Sequence, residues 1–130
     1  MNITIYHNPS CSKSRKTLEI IRGHGIEPRI VEYLRTVPDA ATILNLADLL
    51  ELGVGDLMRK AEPEYQAHNR DANPGGNDDA ALAVWLAQHP GVLQRPIVVD
   101  EDRSVAVIGR PPEAVLGLLS EPAPESSAGS

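Results

Sequence analysis

Two short apolar runs with one amphipathic stretch between them restrict the start of this chain to a strand-helix-strand unit. Asn2 to Tyr6 alternates Ile3 and Ile5 with polar neighbours, which predicts a strand carrying both isoleucines on one face. His7-Asn8-Pro9 ends it. From Ser14 onward, Leu18, Ile20 and Ile21 supply the apolar stripe of a helix that Gly23 and Gly25 stop. Pro28 to Leu34 predicts a second strand. Strands joined by a helical crossover run parallel, and the crossover is right-handed.

The middle of the chain predicts helices. Asp39 is a good N-cap after Pro38, with Ile43, Leu46, Ala47 and Leu50 at helical spacing and Gly53 as the stop. Gly55 to Lys60 reads as a short helix ending in a basic pair. Ala61 to Asn77 is polar and holds Pro63, Pro74, Gly75 and Gly76, so it reads mostly as loop. Asp78 or Asp79 caps a further helix with Leu82, Trp85 and Leu86 on one face, closed by His89-Pro90-Gly91. Ile97 to Asp100 predicts a third strand. Glu101-Asp102-Arg103 is too short a connection for anything but an antiparallel return along Ser104 to Ile108. Pro111 or Pro112 suits the start of a last helix, with Val115, Leu116 and Leu119 as its apolar face. Glu121 to Ser130 has no apolar pattern and is expected to be disordered. The expectation is one α/β domain over residues 2–119, with a helical insertion at about 38–90 and a tail at 120–130. Its outer parts have the thioredoxin-like order of elements.

The bulk numbers close off several function classes. A chain of 130 residues suits one domain. Phe is absent, so the core must be Leu, Ile, Val and Ala. A net charge of −6 argues against non-specific nucleic-acid binding. No apolar run approaches the roughly 20 residues of a membrane helix. Met1 runs almost straight into a strand, so no leader is expected. His7, His24, His68 and His89 lack ligand spacing, and no metal site is expected. The single cysteine cannot make an internal disulfide, which fits a reducing cytosol.

That cysteine lies in Asn8-Pro9-Ser10-Cys11-Ser12-Lys13-Ser14-Arg15, between the first strand and the first helix. Free backbone N–H groups and the positive end of the helix dipole gather at a helix start. Both stabilise an anion, whether a thiolate or a bound oxyanion. Lys13, Arg15 and Lys16 make the turn locally basic within an acidic protein. The loop is too polar to be good core, so Cys11 reads as a nucleophilic thiol in a prebuilt anion site rather than as an inert buried one.

Ile3-Thr4-Ile5-Tyr6-His7-Asn8-Pro9-Ser10-Cys11-x-x-Ser14-Arg15 resembles the signature of the glutaredoxin-coupled arsenate reductases. Leu57-Met58-Arg59-Lys60, Gln88-His89-Pro90, Arg95-Pro96-Ile97-Val98-Val99 and Ile108-Gly109-Arg110-Pro111 resemble later motifs of that family, in the same order. The resemblance spans about Asn2 to Leu119. It implies a thioredoxin-like mixed four-stranded sheet with an inserted helical subdomain, and reduction of arsenate to arsenite using glutathione and glutaredoxin. Cys11 matches the nucleophile, and Arg59, Arg95 and Arg110 match the oxyanion-binding arginines. His7 and Ser14 match residues that tune the thiol. By their own chemistry, the Ser14 hydroxyl, one turn along, could bond the sulfur, and His7 could either place a positive charge near the loop or merely end the strand. Pro96 is implied to be cis and to face the cysteine, its neighbouring backbone open to a glutathione peptide. The chain is shorter at its C-terminus than the family pattern.

Counting constrains the mechanism, given arsenate as substrate. Reducing As(V) to As(III) takes two electrons, and disulfide formation requires a second thiol that this chain lacks. An external thiol must resolve the Cys11 adduct, and glutathione, as a co-substrate rather than a bound cofactor, is the thiol that the resemblance implies. A cytoplasmic monomer with no nucleic-acid or membrane partner is expected. Two alternatives stay open. One is a general glutathione-dependent thiol-disulfide oxidoreductase, which would use the same cysteine, proline and basic loop. The other is a Spx-type regulator that binds RNA polymerase, although Ser at position 14 excludes a Cys-x-x-Cys switch.

Overall fold

Strand β1 (Ile3–His7) is the centre from which the molecule is built. In the computed structural model, which describes residues 2–59, 62–63, 65–66 and 78–119, it is followed by α1 (Ser12–Gly23) and β2 (Arg29–Glu32). Then come α2 (Ala40–Leu50), a 3₁₀ turn at Val54–Leu57, and α3 (Asp79–Gln88). A 3₁₀ turn at Pro90–Val92 leads to β3 (Ile97–Asp100) and β4 (Val105–Ile108). A last 3₁₀ turn, Pro112–Ala114, runs into α4 (Val115–Leu119).

The four strands form one mixed sheet in the order β2-β1-β3-β4. β1 pairs parallel with β2 and antiparallel with β3, and β3 pairs antiparallel with β4. This is the mixed α/β arrangement expected from the sequence. Both central strands are covered on two faces. Ile3, Ile5 and Val98 pack with Leu18, Ile21, Val115, Leu118 and Leu119 of α1 and α4. Ile97 and Val99 pack on the opposite side with Ile43, Leu46, Leu57, Ala83 and Leu86. Each fully buried Ile or Leu contributes about 1.5–3 kcal/mol relative to exposure. With two covered faces, β1 buries Thr4 as well as the isoleucines, and the Thr4 hydroxyl donates to Glu101 Oε2 at 2.9 Å.

Local signals placed several boundaries correctly. Asp39 caps α2 by accepting the Thr42 N–H at 2.8 Å. Asp78, not Asp79, caps α3, accepting the Ala81 N–H at 2.7 Å. Gly25 sits at φ +77°, a conformation that glycine adopts without a Cβ penalty, and ends the turn after α1.

Other boundaries differ from expectation. The stop of α2 is Glu51, at φ 58°, rather than Gly53, and the Leu52 N–H returns to the Ala47 carbonyl. The short helix expected at Gly55 to Lys60 ends at Leu57, because Met58 pairs antiparallel with Leu93. That bridge draws the Arg59 N–H to the Val92 carbonyl and the Gln94 N–H to the Leu57 carbonyl, each at 2.6 Å. β2 ends at Glu32, and Tyr33 turns into the core. In α4, Leu118 is buried while Leu116 remains 37% exposed, so the apolar face is Val115-Leu118-Leu119. The expected loop at 61–77 lies mostly outside the described residues. Where it is described, Pro63, Tyr65 and Gln66 are helical. The disordered tail expected at 120–130 also lies outside them.

Candidate active site

The register of the sheet gathers the site at the carboxyl ends of the two parallel strands. His7 faces Glu32 on one side, so Asn8 and Tyr33 leave the ladder together. Tyr6 faces Ile97 on the other, so Pro96 and then Arg95 flank His7 and Asn8. Ile97 also faces Ile108, and the Gly109 N–H donates to the Pro96 carbonyl at 2.9 Å. Arg110 Nη1 then reaches the Arg95 carbonyl at 3.5 Å. Ligand sites of open α/β sheets form at such strand ends.

The loop between β1 and α1 is held by Asn8. Its carbonyl accepts the Cys11 N–H at 3.0 Å, and its side-chain Oδ1 accepts the Ser10 N–H at 2.9 Å. Arg15 fastens the outside of the loop by donating from Nη1 to the Pro9 carbonyl at 2.9 Å. Sequence reasoning passed over Asn8; an Asn two residues before the turn's second N–H is the signal of an Asx turn.

Cys11 occupies the N-cap of α1, with extended backbone at φ −95° and ψ 122°. An N-cap side chain faces the N–H groups of the second and third helical residues, although the Cys11 thiol closes no cap hydrogen bond with them. Here those are Lys13 and Ser14. Burial raises the thiol pKa, but the Ser14 N–H, the Arg95 guanidinium and the Lys13 N–H together outweigh it, and the net shift is downward. Cys11 thus ionises more readily than an ordinary cysteine, and the thiolate is the nucleophilic form.

Ser14 and His7 make other contacts than a hydroxyl bond to the sulfur and a positive charge near the loop. Ser14 is fully buried. Its Oγ lies 2.6 Å from His7 Nδ1 and accepts the Asn8 N–H at 3.0 Å. The hydroxyl is thus committed to the end of β1, and the Ser14 group acting on the sulfur is its backbone N–H. His7 is itself buried, and burial lowers its pKa, with Arg22 and Arg15 adding to the effect and Glu32 opposing it. It is a neutral brace rather than a source of positive charge.

The three arginines are not equivalent. Arg95 stands beside the sulfur, its Nη1 donating to the Gly91 carbonyl at 3.1 Å. Its Nε is buried and has no partner among the described residues. Arg110 is tied to Arg95 as described. Arg59 is anchored next to the segment leading to Arg95, but its Nη1 is paired with Glu62 Oε2 at 3.0 Å. The Arg95–Pro96 bond is cis, and so is Arg110–Pro111, which no sequence signal anticipated.

A hollow of about 500 Å³ lies against the start of α1, lined by Ser12, Lys13, Arg15, Lys16, Glu19 and Pro112. Among the described residues no group of three or more His, Cys, Asp or Glu is placed to hold a metal ion. No helix among them is long and apolar enough to cross a membrane.

This sheet, with one thiol between its first strand and first helix and a cis-proline just before β3, defines the thioredoxin-like class. The model of the ArsC family matches residues 6–118, and the chain belongs to that family. An arsenate reductase of Escherichia coli is 39% identical over 120 residues, covering 92% of this chain and 82% of its own. The uncharacterized protein YfgD of Escherichia coli K12 is 41% identical over 118 residues, covering 90% and 96%. The solved structure of an arsenate reductase from Vibrio cholerae superposes with a TM-score of 0.81 at 42% identity, covering 89% of this chain and 96% of that one.

Proposed function

We propose that this protein reduces arsenate to arsenite, with Cys11 as the nucleophile and glutathione as the second thiol. The observation that carries the reading is Cys11 at the N-cap of α1 with Arg95 beside it. One group of donors there both ionises the thiol and offsets the charge of an incoming oxyanion. Membership of the ArsC family and resemblance to named arsenate reductases support the choice of arsenate among oxyanions.

In the proposed reaction the Cys11 thiolate attacks arsenic, and one arsenate oxygen leaves as water. Glutathione then attacks the adduct. The two thiols supply two electrons, As(V) departs as As(III), and Cys11 is left in a mixed disulfide with glutathione. Glutaredoxin takes the glutathionyl group and restores the thiol. Arg95 and Arg110 hold the oxyanion from the β3–β4 side. Arg59 joins them only by exchanging its Glu62 partner for the anion. The backbone around cis-Pro96 and the basic hollow at Lys13 and Lys16 offer the glutathione peptide its contacts. Glutathione is a co-substrate, and no resident cofactor takes part. The protein is proposed to act as a cytoplasmic monomer.

The test is arsenate-dependent NADPH oxidation coupled through glutathione reductase, glutathione and glutaredoxin. Turnover that requires glutathione and is abolished in Cys11→Ser is the expected result. Reduction of glutathione mixed disulfides at a high rate, with none of arsenate, would favour a general thiol-disulfide oxidoreductase instead. The same thiolate and cis-proline suit that reaction.

A further inference from the structure

We propose that the Tyr33 hydroxyl donates a hydrogen bond to an oxygen of the oxyanion held at Cys11, so that Tyr33 is a substrate-contacting residue. The inference rests on the arsenate reading above and adds to it a neutral donor.

Tyr33 is fully buried, its ring part of the core that contains Met58, Leu93 and Ile97. The ladder sends it to the site: Glu32 faces His7, so Tyr33 leaves β2 beside Asn8, with Arg95 on the opposite flank. Its hydroxyl oxygen is buried and closes no well-formed hydrogen bond, although the Asn8 and Arg95 side chains lie against it. Buried polar groups are ordinarily paired, and an exception calls for an explanation. Arg95 Nε is the other such atom. Two buried donor atoms, neither with a well-formed hydrogen bond, thus stand on either side of Asn8, on residues that both act on the Cys11 thiol. An oxygen carried on the Cys11 sulfur is the acceptor that would pair them.

The electrostatics agree with this placement. Burial raises the Tyr33 pKa, the Arg95 charge and the adjacent Asn8 and Arg95 donors oppose the rise, and a charged Cys11 adds a little to it. The net shift is upward, so the phenol keeps its proton and remains a donor at neutral pH. The sulfur already has the Ser14 and Lys13 N–H groups and Arg95 to stabilise it. The hydroxyl is therefore assigned to the ligand oxygen and not to the thiolate. A phenol held by a packed ring is a fixed donor, and donors fixed in advance act most strongly on developing charge.

Tyr33→Phe removes the hydroxyl and keeps the ring. Arsenate is titrated as a protectant against alkylation of Cys11 by iodoacetamide, without glutathione, and coupled turnover is measured in parallel. Wild type should be protected, and Tyr33→Phe should need about tenfold more arsenate, with kcat/KM down by about tenfold, the loss expected of one hydrogen bond to a charged group. The pH midpoint of alkylation without arsenate should not move, and Tm should be unchanged or higher. Equal protection and turnover in the two proteins would overturn the proposal and leave the arsenate reading intact. A shifted alkylation midpoint accounting for the whole loss would assign the hydroxyl to the sulfur and also overturn it. A wild type that arsenate neither protects nor engages in turnover would remove the arsenate reading itself, and this proposal with it.

Discussion

Ser14 Oγ stands 2.6 Å from His7 Nδ1, and so joins the last residue of β1 to the third residue of α1. The same oxygen accepts the Asn8 N–H, so the reactive loop is closed from beneath by one hydroxyl. With Arg15 fastening the outside through the Pro9 carbonyl, the loop presents Cys11 at the N-cap.

Burial of His7 makes stability depend on pH. Its folded pKa lies below the ordinary value of about 6.5, so the unfolded chain binds the proton more readily. Stability is complete above that range and is lost as pH falls through it. Tm measured from pH 7.5 to 5.5 should fall for wild type. His7→Gln should start lower, having lost the bond to Ser14, and fall less steeply. Parallel slopes would remove His7 as the titrating group.

Arg95 is predicted to serve both the thiolate and the oxyanion. Arg95→Gln should move the alkylation midpoint of Cys11 upward, toward the ordinary thiol value of about 8.5. Compared at a pH where both thiols are ionised, arsenate kcat/KM should still be lower by at least about tenfold, as for a lost charge-assisted bond. Reduction of a glutathione mixed disulfide should fall less. Equal losses at that pH would leave Arg95 with the thiolate role alone.

Gly109 is where the end of β4 presses on α1 and on cis-Pro96. A Cβ there would lie 2.7 Å from Thr17 Oγ1 and 2.8 Å from Pro96 Cγ. Gly109→Ala should destabilise by about 1–3 kcal/mol, as overpacking does, and lower arsenate turnover by displacing Pro96. Gly23, where an added Cβ would meet nothing within 4 Å, is the control. Gly23→Ala should be neutral or stabilising by up to about 1 kcal/mol. Urea unfolding of the two variants gives the comparison directly.

Asp100 secures the β3–β4 turn to α4. It is 1% exposed and accepts the Asp102 N–H, the Arg103 N–H and Arg103 Nε, the last at 2.7 Å. Arg103 Nη2 continues to the Leu118 carbonyl at 2.6 Å. Burial raises the Asp100 pKa, but Arg103 and the two N–H groups hold it below the ordinary value. The stabilisation is present above about pH 4 and is lost as pH falls through the folded pKa. Asp100→Asn should cost about 3 kcal/mol at pH 7, with arginine left facing an amide. The difference from wild type should shrink toward pH 2. A constant difference in urea-unfolding free energy across that range would rule out the charge as the cause.

Short-range chemistry was readable from the residues. The alternation in Ile3 to Ile5, the stripe of Leu18 and Ile21, the Asp39 cap and the tight turn at Glu101 to Arg103 act within a few residues of themselves. So does the placement of Cys11 at a helix start, since Asn8 and Pro9 end one element just before the next begins. Tertiary structure decided what distant residues meet. Met58 gave up a helix to pair with Leu93, because a buried backbone satisfies its polar groups wherever it can. Leu118 displaced Leu116 because the far side of the sheet, not the local stripe, chose the buried face. Burial lowered the His7 pKa and tied the Ser14 hydroxyl to His7 and the Asn8 N–H, because packing between layers sets both. Tyr33 and Arg95 flank Asn8 only through the register of β1 with β2 and β3. A register is the joint outcome of many contacts far apart in the chain, and no single stretch of sequence contains it.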